Sequence, residues 1–273
     1  MTTQDLIALA GEGVRIYDLA HPLENGVPQS ADHPPFRMSV TRRHGDIIRK
    51  DGSSGSTEIL FTSGHVGTHI DALAHASFDG KLFGGVPVEE AMDTGRYVKH
   101  GAEQIPILMC QGILLDIPAV LGRERLDPDE EVLPEHLDAA LERAGAEPQP
   151  GGVLLVRTGW DQLFGDRAAF EGETTGLPGI GPDGADWIAR RRPRAVGGET
   201  IPFERFAPLT RSRGLPVHKR LLVDEGIHII EIMRLGGLAA AGVGEFLFVL
   251  APLPLVGATG SPARPFAAVK TAE

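Results

Sequence analysis

The chain has one cysteine, two tryptophans and two tyrosines among 273 residues, and it carries fewer basic than acidic side chains. A single cysteine excludes an intrachain disulfide. Cys110 lies inside the apolar run IPILMCQGILLDI, without the electropositive neighbours a reactive thiolate needs, and reads as a plain buried thiol. The shortage of basic residues leaves a net charge of −11, which disfavours nucleic acid and membrane surfaces as partners. No apolar run reaches membrane-spanning length, and FLFVLAPLPLV is broken by two prolines. The N-terminal MTTQDLIALAGEGVRIYDL has no basic segment ahead of an apolar core, so no export signal is expected and the expected location is cytoplasmic. The basic run Arg190-Arg191-Arg192-Pro193-Arg194 reads as a solvated helix end, favoured there by the helix dipole.

What is plentiful is glycine (35) and proline (21), the composition of many turns between short elements. Apolar residues make up 42%, enough for one large core, and no repeat or low-complexity linker divides residues 1–273. Six β-branched-rich runs read as strands: VRIYDL, TEILFTS, GILLDIP, GGVLLVRTG, GIHIIEIM and FLFVLAPL. Two helices are expected. Leu133 to Ala144 has Leu137, Ala140, Leu141 and Ala144 on one face, with Pro134 near its start and Gly145 past its end. Pro182 to Arg191 is the second. Strands outnumber helices and alternate with them only loosely, which predicts an α/β domain with a single mixed sheet.

The densest chemistry lies in GHVGTHIDALAH. His65, His69, Asp71 and His75 fall within eleven residues, punctuated by Gly64 and Gly67. Imidazole nitrogen and carboxylate oxygen are natural ligands of a zinc-like cation, and the glycines let the chain turn so that such groups converge. A lone histidine would read as a polar turn; four groups so close together do not. Glu231 sits among Ile229, Ile230, Ile232 and Met233, and a carboxylate in that company must be protonated, ion-paired or bound to a cation. His218 precedes it by thirteen residues. His228 alternates onto the other strand face and is left outside the site.

HVGTHIDALAH fits the HxGTHxDxxxH signature of the cyclase-like metal-dependent hydrolases, the family of bacterial kynurenine formamidase and isatin hydrolase. VHKRLLVDEGIHIIE resembles that family's second motif, and DLAHPLENGVP, LLVRTGWD and LPGIGPDGADWIARR followed by AVGGET extend the likeness over roughly residues 14 to 256. The resemblance implies a swivelling β/β/α domain, assembled as a homodimer or homotetramer, with one or two zinc or manganese ions. It implies His65, His69 and Asp71 as ligands of a first ion, His218 and Glu231 as ligands of a second in dinuclear members, and His75 as the acid/base. Where the formamidases place a tryptophan on their substrate this chain has VPQSADHPPF, with Ser30 near that position. Glu199 stands for a common aspartate, and the spacing from His218 to Glu231 is one residue longer than in the formamidases. These departures point to the longer, isatin-hydrolase-like branch.

The expected reaction is hydrolysis of an amide, either a cyclic amide or lactam or an N-formyl aryl amine, with a lactone as the alternative. A cation held by imidazoles and a carboxylate lowers the pKa of its bound water from 15.7 toward ~7, making the attacking hydroxide, and His75 shuttles the proton. Candidate substrate contacts are Ser30, Phe78 and Trp160, with Phe61 and Phe266 as further aromatic candidates. Three rival readings have distinct signatures. A non-haem iron oxygenase would use His69, Asp71 and His218 as a facial triad but leaves His65, His75 and Glu231 unexplained. A serine hydrolase needs a G-x-S-x-G elbow, and DGSSGSTE lacks its last glycine. A non-catalytic metal- or ligand-binding protein has no use for His75.

Overall fold

The computed structural model describes residues 13–208 and 214–270; residues 1–12, part of the segment in which no export signal was read, lie outside the described residues. Nine strands form one mixed sheet in the order Val14–Asp18, Phe266–Lys270, Glu245–Leu250, Leu108–Asp116, Val153–Arg157, Ala195–Gly198, His228–Glu231, His69–Asp71 and Gly260–Pro262. The four central strands run parallel, and antiparallel strands flank them on both sides. This is the mixed α/β architecture expected. All six runs read as strands contribute strands. The Ala195–Gly198 strand and the two strands after residue 259 were missed, because each is short and carries glycine or alanine in place of a β-branched run.

Two cores result from the sheet's two faces. Helices Pro134–Ala144 and Pro182–Arg191 cover one face, burying Leu137, Ala140, Trp187 and Ile188 against Leu115, Leu154 and Val196. Proline opens both helices, and Gly145 ends the first in the left-handed region at φ 66°. The Trp187 indole N–H donates to Asp138 Oδ1 at 2.6 Å and joins the two helices. On the other face the sheet curls around Leu108, Leu155, Ile230, Ile70 and Phe248. Each such fully buried aliphatic side chain contributes about 1.5–3 kcal/mol. Cys110 is half-buried, less enclosed than its apolar run suggested, and burial pushes its thiol pKa up. Among the described residues no helix is long and apolar enough to cross a membrane.

Glu199 directly follows the Ala195–Gly198 strand and is fully buried. Its Oε2 accepts from Thr158 N–H at 2.8 Å, Thr158 Oγ1 at 3.0 Å and Trp160 N–H at 3.0 Å, tying two loops together. Its Oε1 is buried without a hydrogen-bond partner. Burial and the nearby Asp161 carboxylate push its pKa up to about 8, against the pull of Arg157. Folded, the carboxyl keeps its proton; unfolded, it loses it near 4.5. Stability from this group is therefore present below about pH 4.5 and lost as pH rises to about 8. Glu199→Gln keeps an oxygen for the three donors and removes the titration. Its stability should match wild type near pH 5 and rise above it toward pH 8, the gap growing by about 1.4 kcal/mol per pH unit. Parallel melting curves over that range would contradict a buried neutral carboxyl.

Candidate metal centre

Strand register assembles the site. On the three-residue strand His69–Asp71, alternation turns His69 and Asp71 to one face while Ile70 enters the core. This strand pairs antiparallel with His228–Glu231 so that Glu231 lies directly opposite His69. On its other edge Gly260 lies opposite Asp71. A side chain at Gly260 would come within 2.5 Å of the His65 ring, so glycine is what lets that ring close over the strand. Gly67 has φ +62°, and a Cβ there would strike Leu23, which accounts for the expected tight turn. His218 arrives from the opposite side, where a short helical turn Pro216–His218 passes into a π-helical stretch Lys219–Glu225. Such wide turns take up an extra residue in a helix.

The structure brings His65, His69, Asp71, His218 and Glu231 together, all buried. His69 Nε2 lies 3.2 Å from Glu231 Oε2 and 3.6 Å from Asp71 Oδ1. His65 Nδ1 is 2.9 Å from Asp71 Oδ1, and His218 Nε2 is 3.3 Å from Glu231 Oε1 and 3.8 Å from Asp71 Oδ2. Each imidazole is fixed by its outer nitrogen. His69 Nδ1–H donates to Gly67 O at 2.7 Å, His218 Nδ1–H donates to Glu204 Oε1 at 2.5 Å, and His65 Nε2 meets Thr259 Oγ1 at 2.9 Å. With their outer protons placed this way, His69 and His218 aim their inner nitrogens at the carboxylates, where a cation that displaced the inner protons would meet lone pairs.

The centre is short of positive charge. His65 Nδ1, His69 Nε2, both Asp71 oxygens and Glu231 Oε1 are buried with no hydrogen bond of acceptable geometry. Burial works against an ionised Asp71, but the His75, His65 and His69 imidazoles outweigh it and hold its pKa low. Burial and Asp71 likewise oppose Glu231, and contacts from His218 and His69 hold it low as well. Burial would depress His218, yet Glu204 and Glu231 raise it to about 10. Burial would depress His69 too, and the Glu231 contact raises it. Two ionised carboxylates with unused oxygens, ringed by inward-facing histidine nitrogens, fit a divalent cation. Two ligand groups share Asp71: His65 with His75, and His69 with Glu231. His65 and His69, which the resemblance pairs, both approach Asp71 Oδ1, and strand register sets Glu231 opposite His69 as well.

His75 is only partly buried, with its ring centroid 4.0 Å from His65 and 5.9 Å from His218. Burial, and to a lesser degree the His65 and His218 charges, bring its pKa down to about 4 despite Asp71. Two residues that the sequence reading passed over, and one that it left outside the site, also contact this cluster. Glu204 orients His218. His33 stacks on His65 at 4.9 Å, set in place by a turn in which its N–H donates to Ser30 O. His228, excluded by alternation, does face away from Glu231, but its Nδ1–H donates to the Asp71 carbonyl at 2.8 Å. Only the apolar flank of His228 hinted at any of these contacts.

Of the proposed substrate contacts, Ser30 lies at the base of the His33 turn and Phe78 is half-exposed beneath the Lys219 ammonium, next to His218. Trp160 is 1% exposed and packed with Phe170, Leu177 and Ile232, its indole N–H spent on Phe170 O. That placement corrects its reading as a pocket wall, because a side chain enclosed by core has no face left for a ligand. Ile232, directly after Glu231, has φ +54°, a strained state for a β-branched residue that costs of order 1–3 kcal/mol. Hydrogen bonds from Thr68 Oγ1 to its carbonyl and from its N–H to Thr200 O pin it there. Glu204→Ala removes the acceptor that orients His218. Affinity for a divalent metal, titrated against a chromogenic chelator, should fall about 10–100-fold; an unchanged affinity would remove His218 from the ligand set.

Known proteins supply the context for this geometry. The Cyclase family model matches residues 17–205. The chain is 27% identical to isatin hydrolase of Roseibium aggregatum over 270 residues, covering 97% of this chain and 95% of that one. It is 27% identical to kynurenine formamidase of Geobacillus thermodenitrificans, over 90% of this chain and 94% of the relative. A crystal structure described as a novel cyclase superposes with a TM-score of 0.83 at 27% identity, covering 98% of this chain and 93% of the other. The sequence match and the shared architecture agree, and the chain belongs to the Cyclase family.

Proposed function

We propose that this protein is a metal-dependent hydrolase of small-molecule amides, acting on C–N bonds outside peptides. The observation that carries the reading is the set of orphaned, inward-facing atoms on His65, His69, Asp71 and Glu231, with His75 beside them. Zinc or manganese, as one or two ions, suits the mixed imidazole and carboxylate donors; when bound it would polarise a carbonyl and acidify water. The bond class is suggested by the relatives named isatin hydrolase and kynurenine formamidase, which support a cyclic amide or an N-formyl aryl amine. A lactone presents the same carbonyl and is the alternative. His65 and Glu231 make the donor set larger than the facial triad of an iron oxygenase.

The chain's own residues divide the remaining work. His75 is neutral at pH 7, since its pKa is held near 4, so its ring accepts a proton from the attacking water and returns it to the leaving nitrogen. Asp71 and Glu231, kept ionised, fix the centre's charge. Glu204 and Thr259 stop the ligand rings from turning. Ser30 and Phe78, together with His33 stacked on His65, are assigned to substrate contact on this reading.

Exhaustive chelation should abolish hydrolysis across a panel of isatins, N-formyl anilines, cyclic imides and lactones, and divalent metal should restore it. Full activity without metal would end the proposal. His75→Ala should keep its metal and lose about 10²–10⁴-fold in kcat. Loss of metal from that variant would make His75 a ligand, as its grouping with His65 and Asp71 allows. Activity should hold on the alkaline side and fall below about pH 5, as His75 approaches its pKa of about 4 and takes up a proton.

A further inference from the structure

A cavity of about 600 Å³ lies between residues 18–23, Arg234 and residues 251–264, and none of the metal ligands lines it. That volume is within the range that holds a small molecule. Of the histidine motif only Thr68 reaches it, and Thr68 sets it back to back with the metal centre. The Thr68 hydroxyl accepts from the His21 N–H at 3.0 Å and donates to the carbonyl of Ile232, the residue after Glu231. One wall is apolar. Leu23 and Leu253 are left 38% and 54% exposed there, beside Ala251 and Pro262. The polar groups are Asp18, His21, Arg234 and Arg264.

Two of those polar groups satisfy each other. Arg264 Nε and Nη2 donate to Asp18 Oδ2 at 2.9 and 2.7 Å. Arg234 has no side-chain hydrogen bond or ion pair among the described residues, so the cavity keeps one unmatched positive charge in a chain of −11. His21 is stacked on Phe164 with ring centroids 3.7 Å apart, and its Nε2 is buried without a hydrogen-bond partner. Burial brings its pKa down to about 4 against the pull of Asp161, so the ring is neutral near pH 7. A backbone contact to the Met233 carbonyl favours the proton on Nδ1, which leaves Nε2 an acceptor. The matching ligand has a carboxylate for Arg234, a hydroxyl or amine donor for His21, and an apolar body against Leu23 and Leu253.

We propose that this cavity is a ligand site distinct from the metal centre, built for a small organic carboxylate that carries a hydroxyl or amine donor. It uses none of the metal ligands, so its test stands apart from the metal reading. The probe is meta-hydroxybenzoate, titrated into the full chain and followed by ligand-observed NMR. It should bind with a dissociation constant of about 0.1–1 mM, equally with zinc added and after exhaustive chelation. Benzoate and phenol each lack one of the matched groups and should bind at least ~10-fold more weakly. Arg234→Gln removes the unmatched charge and Leu253→Glu opposes it, both at exposed positions. Each should weaken meta-hydroxybenzoate at least ~10-fold while leaving the far-ultraviolet circular dichroism unchanged. Binding that requires the metal, that survives both substitutions, or that benzoate or phenol equals would overturn the proposal. So would the absence of saturable binding below about 10 mM.

Discussion

Two buried carboxylates placed on neighbouring strands are the constraint around which the rest of the centre is arranged. Asp71 and Glu231 bring ligand atoms to within 4.8 Å of one another and of His69. Like charges at that separation repel by about 3.5 kcal/mol even at an effective dielectric constant of ~20. Neither can escape by rotating outward, because the register that sets Glu231 opposite His69 and Gly260 opposite Asp71 also forms the edge of the main sheet. The fold therefore commits the site to positive charge, and the three inward-facing imidazoles complete a donor set that a divalent cation matches.

Much of the surrounding structure serves to hold that arrangement against its own cost. The outer nitrogens of His69, His65 and His218 are tied to Gly67, Thr259 and Glu204, which fixes the orientation of each ring. Thr68, inside the histidine motif, spends its hydroxyl on the carbonyl of strained Ile232, linking the first motif to the second. Backbone strain at Ile232 persists because hydrogen bonds and core packing on both sides over-determine it. Residues 37–61 show the contrasting case, a segment with large apolar side chains and almost no internal support.

Much of this was legible in the chain. The helices at 134–144 and 182–191 were readable because apolar spacing, an opening proline and the charged or glycine ends all agreed. The histidine motif was readable because four donors stood within eleven residues. Trp160 was misread because an aromatic in a motif looks the same whether it lines a pocket or fills a core. Glu204 and His33 were not legible. Each acts through one contact to a residue far along the chain or across a turn, and neither carries a periodic or clustered signature.

By itself the sequence determined the donor types and the glycine-relaxed turn at Gly67, since these are properties of a short segment. It also determined the acidic character of the whole and the mixed α/β class. Tertiary structure alone decided which donors meet. Sequence spacing joins His65 to His69, but strand pairing sets His69 against Glu231, 162 positions away, and brings His65 to His75 across a turn. Register between distant strands is fixed by the packing of Ile70 and Ile230 into a shared core, a many-residue outcome that no local stretch of sequence contains.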